Sequence, residues 1–191
     1  KVISKFKKFC TSICNDICFK SGLSKQLFIF RYINNLFPNK KLTLFELGPG
    51  SGFLTALLAT AGHRVFCLDN SQAFYIYQNH FFQHFGINEL ARKDERNFGE
   101  GPITHIPWWL WVNDDFELPK VDVFVGNAVL NEMKSNALRY TLNKINKSIN
   151  NDGFMIFQQA GEGIVSKYED TMRTLYEYGW FLCNSKGMLV W

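Results

Sequence analysis

The 191-residue sequence has no run of about 18 uninterrupted apolar residues, so it offers no candidate transmembrane helix. It has no charged start followed by an apolar centre, so no secretory signal is expected. It has no sustained basic stripe. The net charge of +4 is mild and comes largely from Lys1, Lys5, Lys7 and Lys8 and from lysines scattered later, so nucleic acid is not the expected partner. There are no internal repeats, no low-complexity segments and no linker, and the length suits one domain of ordinary size. Cysteine is sparse and odd in number, five in all, which reads as reduced thiols in a cytoplasmic protein rather than a disulfide framework. The sequence starts at Lys1, not Met, and stops at an apolar Trp191, as a piece of a longer protein would.

What is present is enough apolar material for a core, at 47% of residues, with a lean towards Phe, Ile, Asn and Lys. Three cysteines, Cys10, Cys14 and Cys18, recur every four residues. That spacing stacks them on one helical face, beside Ile3, Phe6, Ile13 and Ile17. Iron–sulfur runs use tighter, uneven spacings on a loop. The cysteines therefore read as small hydrophobes on a packed face.

Apolar periodicity predicts helices over residues 2–18 and 24–37, the second ended by Pro38. The run "LTLFEL", 42–47, reads as a buried strand. "SGFLTALLATAG" follows as a helix ended by Gly62. "HRVFCLD", 63–69, is a second strand, and Asn70 and Ser71 are candidate caps for a helix over 72–85. Residues 87–106 read mostly as loop, "PWWLWV" as a third strand and "VDVFVGN", 121–127, as a fourth. A helix over 132–149, a turn at "NNDG", a fifth strand at 154–159, a helix over 164–178 and a sixth strand starting in "WFLCNS" complete the chain. Alternating strands and helices predict a mostly parallel, doubly wound α/β sheet with helices on both faces. Residues 1–40 form an N-terminal helical segment, a lid or a dimer surface, and residues 41–191 the main domain. Ligands of such sheets bind beyond the carboxyl ends of the strands.

The stretch "LFELGPGSGF" sits at such an end. Gly48, Gly50 and Gly52 alternate there, which makes a bare turn whose backbone a ligand can approach. Dinucleotide folds use G-x-G-x-x-G/A, but here the third glycine comes one place early and Phe53 holds the sixth position.

"ELGPGSG" resembles the first motif of class I S-adenosylmethionine-dependent methyltransferases, roughly E/D-x-G-x-G-x-G. "VFCLDNS" resembles the family's second strand, "VNDDFELPKVDVFVGNAVLNEM" its third and fourth motifs, and "INNDGFMIF" the approach to its fifth strand. The resemblance covers about residues 42–160 in the right order. It implies a Rossmann-like fold, S-adenosylmethionine as cofactor and S-adenosylhomocysteine as product. It implies that Asp69 accepts from the ribose hydroxyls, a role that suits a carboxylate facing two donors. It implies Asp114, or Asp115 in the alternative register, near the adenine amino group. Glu46 falls near the methionine amino group, and Asn127 meets the amino-acid part of the cofactor or the acceptor. Pro49 and Asn70 lie within the same two binding motifs as Gly48, Gly50, Gly52 and Asp69. Phe45 and Leu47 are expected in the core.

A sulfonium methyl is already activated, so an enzyme of this kind mainly aligns a nucleophile and excludes water. A hydroxyl acceptor also needs a base within hydrogen-bond reach. Glu132, just past the fourth strand, is one candidate; its alternative is a helix-start acid favoured by the dipole. His105 in the preceding loop is another, and Gln158 and Gln159 are candidate substrate contacts. Trp108, Trp109 and Trp111 suit either a sugar ring or the adenine, or else plain core packing. "HIPWWLW" with "VGNAVLNEM" is also similar to a bacterial group of sugar O-methyltransferases, which implies a carbohydrate or small-molecule hydroxyl as acceptor. A catalytically silent cofactor-binding scaffold is the competing reading; its signature, a broken glycine loop or a missing ribose acid, is not seen. The D/N-P-P-Y/F motif of enzymes that methylate exocyclic amines of nucleic acids is absent. No metal is expected, since the clustered carboxylates at 114–115 are assigned to adenine.

Overall fold

The computed structural model describes residues 2–13, 23–86, 89–90, 101–158, 165, 167–182 and 189–190. In chain order the elements are α1 (Val2–Ile13), α2 (Leu23–Leu36), β1 (Thr43–Leu47), α3 (Phe53–Thr60), β2 (Arg64–Leu68), α4 (Gln72–Phe85), β3 (Glu89–Leu90), β4 (Ile103–Ile106) and α5 (Trp108–Trp111). There follow β5 (Val121–Asn127), a 3-10 turn (Leu130–Glu132), α6 (Ser135–Ser148), β6 (Ile149–Gln158), α7 (Tyr168–Glu177) and β7 (Leu189–Val190). Among the described residues β1 pairs with β5, β5 with β6, β2 with β4 and β3 with β4 in parallel, and β6 pairs antiparallel with β7. With helices in most of the strand connections, this is the Rossmann-like, doubly wound α/β class that the sequence pattern predicts.

The chain divides into two compact units. The first comprises Lys1–Lys41 and Pro49–Trp111. Its strands run in the order β2–β4–β3. Val65, Phe66, Cys67 and Leu68 are all buried, as an interior parallel strand requires. Helix α3 is buried on every side from Phe53 to Ala59, so it is a central helix rather than an amphipathic one. Helix α1 lays Phe6 and Phe9 on an aromatic cluster. Phe6 meets Phe53 at 5.2 Å and Phe81 at 5.3 Å, and Phe9 meets Phe81 at 5.1 Å. Each fully buried phenylalanine contributes roughly 1.5–3 kcal/mol. Cys10 is buried on this face, as a small hydrophobe would be, whereas Ile3 is 43% exposed. Cys14, Cys18 and Ile17 lie outside the described residues.

The second unit comprises Leu42–Gly48 and Val112–Trp191, with strand order β1–β5–β6–β7. Phe45 is 1% and Leu47 4% exposed. Phe45 packs on Phe124 of the neighbouring strand at 5.7 Å.

Several local expectations change. "PWWLWV" is not a strand: Pro107 offers its carbonyl to the Leu110 and Trp111 amides, and the chain winds into α5. Trp111 is buried while Trp108 and Trp109 are exposed, so strand alternation does not govern them. The segment read as mostly loop contains β3 and β4, and His105 is a fully buried strand residue, not a loop one. The composition of 87–106 hides a four-residue strand behind polar neighbours; residues 87–88 and 91–100 lie outside the described set. "NNDG" is an irregularity inside β6 rather than a turn before it. Pairing advances from Ile149 to Phe154 while β5 advances only from Val121 to Val123. Helix α6 starts three residues later than expected, because Leu130–Glu132 forms a separate 3-10 turn. The expected strand in "WFLCNS" is absent at Phe181 and Leu182, and its remainder lies outside the described residues.

Two predictions follow from this packing. Gly52 has φ +70°, and a β-carbon there would stand 2.9 Å from Phe82 Cε1 and 3.1 Å from Phe81 Cδ1. The Gly52→Ala variant should lose at least about 2 kcal/mol of stability through left-handed strain and overpacking, measured by denaturant unfolding. His105 has its pKa lowered to about 3 by burial, so the folded state holds it neutral while the unfolded chain protonates it near 6.5. The unfolded state therefore binds more protons below that value, and stability falls as pH falls. Between pH 7 and pH 5 this group should remove about 2 kcal/mol. The pH slope of unfolding should flatten by that amount in His105→Gln.

Candidate cofactor site

In the first unit the glycine loop continues from Pro49 through Gly50, Ser51 and Gly52 into α3. Gly52 caps that helix in the left-handed region. Gly50 also has a positive φ, +52°, but nothing lies within 4 Å of where its β-carbon would be. Gly52 is thus explained by its neighbours, whereas Gly50 leaves open space above the backbone. A loop of that shape admits a ligand against its main chain.

Asp69 sits immediately after β2, buried to 6% exposure. Its Oδ2 accepts from the Gly50 amide at 3.3 Å and from Gln78 Nε2 at 3.2 Å. Its Oδ1 accepts from the Ser71 amide at 3.2 Å. Ser71 caps α4 by accepting from the Phe74 amide, while Asn70 is exposed. A carboxylate offers about four lone-pair sites, so three bonds leave Oδ1 room for another donor. Gln78 Nε2 also donates to the Gly50 carbonyl at 2.8 Å. From the other side, Gln26 of α2, 8% exposed, donates through Nε2 to Ser51 Oγ at 3.3 Å. Two buried glutamines thus hold the loop, and neither figured among the candidates above.

His105 is the other buried polar group of this unit. Its Nδ1 lies 2.7 Å from Asn79 Oδ1, which fixes Nδ1 as the protonated nitrogen of a neutral ring. Its Nε2 has no partner among the described residues. Tyr75 lies over it at 4.4 Å and Phe82 edge-on at 5.6 Å. With its pKa pushed down to about 3 by burial, His105, expected as a base in a loop, is a buried strand residue and a poor base at neutral pH. Trp109, 47% exposed, meets Tyr75 at 5.5 Å.

In the second unit Glu46 is 1% exposed within β1, opposite Val125. A carboxylate at that depth requires polar partners. Asn127 ends β5 and stands in register with Gln158 at the end of β6. Asn127 Oδ1 and Gln158 Oε1 are both buried and without a hydrogen-bond partner among the described residues. The next residue, Ala128, takes φ +57°, and its amide donates to the Gln158 carbonyl at 2.6 Å. A left-handed alanine costs about 1–2 kcal/mol, and such strain gathers at functional sites. Glu132 is exposed in the 3-10 turn, beside a buried Asn131. Asp114 and Asp115 are both exposed. The Asp114 carboxylate accepts from Tyr140 at 3.4 Å, and the Asp115 amide donates to Asn113 Oδ1 at 3.0 Å. Gln159 lies outside the described residues. Among the described residues there is no group of three or more His, Cys, Asp or Glu able to hold a metal, and no helix long and apolar enough to cross a membrane.

No protein-family model and no curated protein matches this sequence. Solved structures do match in fold. A TehB-like SAM-dependent methyltransferase from Corynebacterium glutamicum superposes with a TM-score of 0.63 at 17% identity, over 84% of each chain. The magnesium protoporphyrin IX methyltransferase ChlM from Synechocystis, solved with bound SAH, gives 0.65 at 13% identity, over 98% of this chain and 92% of that one. The glycopeptide N-methyltransferase MtfA gives 0.59 at 13%, over 91% and 90%. The fold of this chain is the Rossmann-like fold of SAM-dependent methyltransferases.

Proposed function

We propose that this chain is an S-adenosylmethionine-dependent methyltransferase that moves a methyl group to a hydroxyl of a sugar or another small molecule. The observation that carries the cofactor reading is the bond between Asp69 and the Gly50 amide, which joins a strand-end acid to a bare glycine loop. Asp69 retains an acceptor site on Oδ1 for a ribose hydroxyl. Glu46 and Asn127 supply acceptors for the methionine ammonium, and Asp114 or Asp115 one for the adenine amino group. The likeness of fold to a methyltransferase solved with SAH supports the same reading.

For the acceptor, the support is chemical. The partnerless oxygen of Gln158 suits a ligand that donates a hydrogen bond, as a hydroxyl does. Trp108 and Trp109, 42% and 47% exposed, offer apolar faces of the kind a sugar ring stacks on. Glu132 is the candidate base. Bound S-adenosylmethionine would supply an activated methyl and release a thioether, and Glu132 would take the proton that the acceptor hydroxyl gives up on methylation.

The cofactor reading is tested by calorimetric titration with S-adenosylhomocysteine, with NADH as the control. Wild type should bind the former in the micromolar range. Asp69→Ala should bind at least tenfold more weakly, and Gly50→Ala should remain folded and lose binding, since its methyl enters the open space. A folded wild type that binds neither ligand would leave the silent scaffold as the better account. The acceptor reading is tested with a labelled methyl donor and a panel of sugars, sugar nucleotides and small alcohols. Glu132→Gln should lower turnover by about a hundredfold or more, as loss of a general base does; unchanged turnover on an active acceptor would remove Glu132 from the chemistry.

A further inference from the structure

We propose that Gln78 is a cofactor-positioning residue, one that sets both the carboxylate of Asp69 and the backbone of the glycine loop. The inference rests on the cofactor reading above and extends it to a residue that no motif picks out. Gln78 is 0% exposed on α4, on the face otherwise formed by Phe81, Phe82 and Phe85. A primary amide in that company is costly unless its hydrogen bonds do something there. Its Nε2 spends both hydrogens on the site, 2.8 Å from the Gly50 carbonyl and 3.2 Å from Asp69 Oδ2.

The orientation of the amide is settled by these partners. Turning it over would aim Oε1 at a carbonyl and a carboxylate, three acceptors with no proton between them. Nε2 is therefore the end at the loop, and Oε1 is left buried without a partner among the described residues. A protein that needed only to fill this space would do better with an apolar residue of the same length, which has no polar atom to leave orphaned.

The consequence for binding is geometric. Oδ2 of Asp69 is occupied by Gln78 Nε2 and the Gly50 amide, so the carboxylate cannot rotate freely. Its remaining capacity is held on Oδ1, which also accepts from Ser71. The same Gln78 nitrogen holds the Gly50 carbonyl, so the open space over Gly50 and the free edge of Asp69 are fixed relative to one another. Without Gln78, both the loop and the acid would have to be ordered by the ligand, and binding would weaken.

The test uses two variants, Gln78→Met and Gln78→Glu, and two readouts. The first readout is S-adenosylhomocysteine affinity from pH 5.5 to 8.5, each variant divided by wild type at the same pH. Gln78→Met should bind about tenfold or more weakly at every pH. Gln78→Glu should recover part of the wild-type affinity at pH 5.5, where its protonated carboxyl can donate one of the two bonds that the amide makes. It should weaken by about tenfold or more by pH 8.5, where two carboxylates face each other. His105, the nearby buried imidazole, stays neutral throughout this range and adds no slope. The second readout needs no ligand: amide hydrogen exchange across residues 49–53 should be faster in Gln78→Met than in wild type. Affinities like wild type in both variants, or a Gln78→Glu loss that is the same at every pH, would overturn the proposal, and so would unchanged loop exchange. Failure of wild type to bind would instead count against the cofactor reading and leave the exchange experiment to decide this one. Should Gln78→Met not fold, Gln78→Glu carries the pH test.

Discussion

The arrangement turns on one buried carboxylate. Asp69 leaves β2 at the strand's carboxyl end and takes up the Gly50 amide, the Ser71 amide and the Gln78 side chain. Each of those bonds has a structural effect as well. The bond to Gly50 ties the glycine loop to the end of β2. The bond to Ser71 joins the start of α4 to the end of β2. The bond to Gln78 ties the interior face of α4 to the same point. A buried anion needs these donors, since uncompensated burial of charge is among the costliest things a protein can do. The donors it recruits are what give the loop its shape.

A loop so held is suited to bind because its surface is backbone. Gly50 and Gly52 have different reasons. At Gly52 the phenylalanines of α4 leave no space for a side chain; at Gly50 space exists and is left empty. Only the second leaves room for a ligand against the backbone. Gln26 and Gln78 approach the loop from α2 and α4 respectively, so the N-terminal helices are part of the loop's support within this unit. Helix α1 is fixed to the same unit through Phe6 and Phe9, and the face it presents is accordingly packed.

The sequence made the fold class legible because strand ends and glycines punctuate it strongly. The strand at 43–47, the strand at 64–68 and the helix at 72–85 follow from buried β-rich runs and from the Ser71 cap. Where apolar runs are short and rich in tryptophan, periodicity failed: four residues of α5 carry too little pattern to be told from a strand, and Pro107 decided the matter. His105 could not be read correctly until β4 was known, since burial and not residue type moved its pKa. The places of Asp69 after a buried strand, of Glu46 within one and of the glycines in the turn before α3 were legible from their motif. Gln78 and Gln26 were not, though a signal existed. Each is the polar member of a helix face that is otherwise buried, Gln26 with Ile29 and Ile33, Gln78 with Phe81, Phe82 and Phe85. Ala128 carries no sequence signal at all, because its left-handed backbone is set by the Gln158 carbonyl, thirty residues along the chain.

The most direct test is amide hydrogen exchange on the wild-type chain with and without S-adenosylhomocysteine, followed over peptides spanning 44–53 and 64–72. The account predicts slowed exchange in both peptides on saturation, with the Gly50 and Ser71 amides among those affected. Binding that leaves both peptides unchanged would contradict it, because the ligand would then be held elsewhere than at Asp69 and the glycine loop.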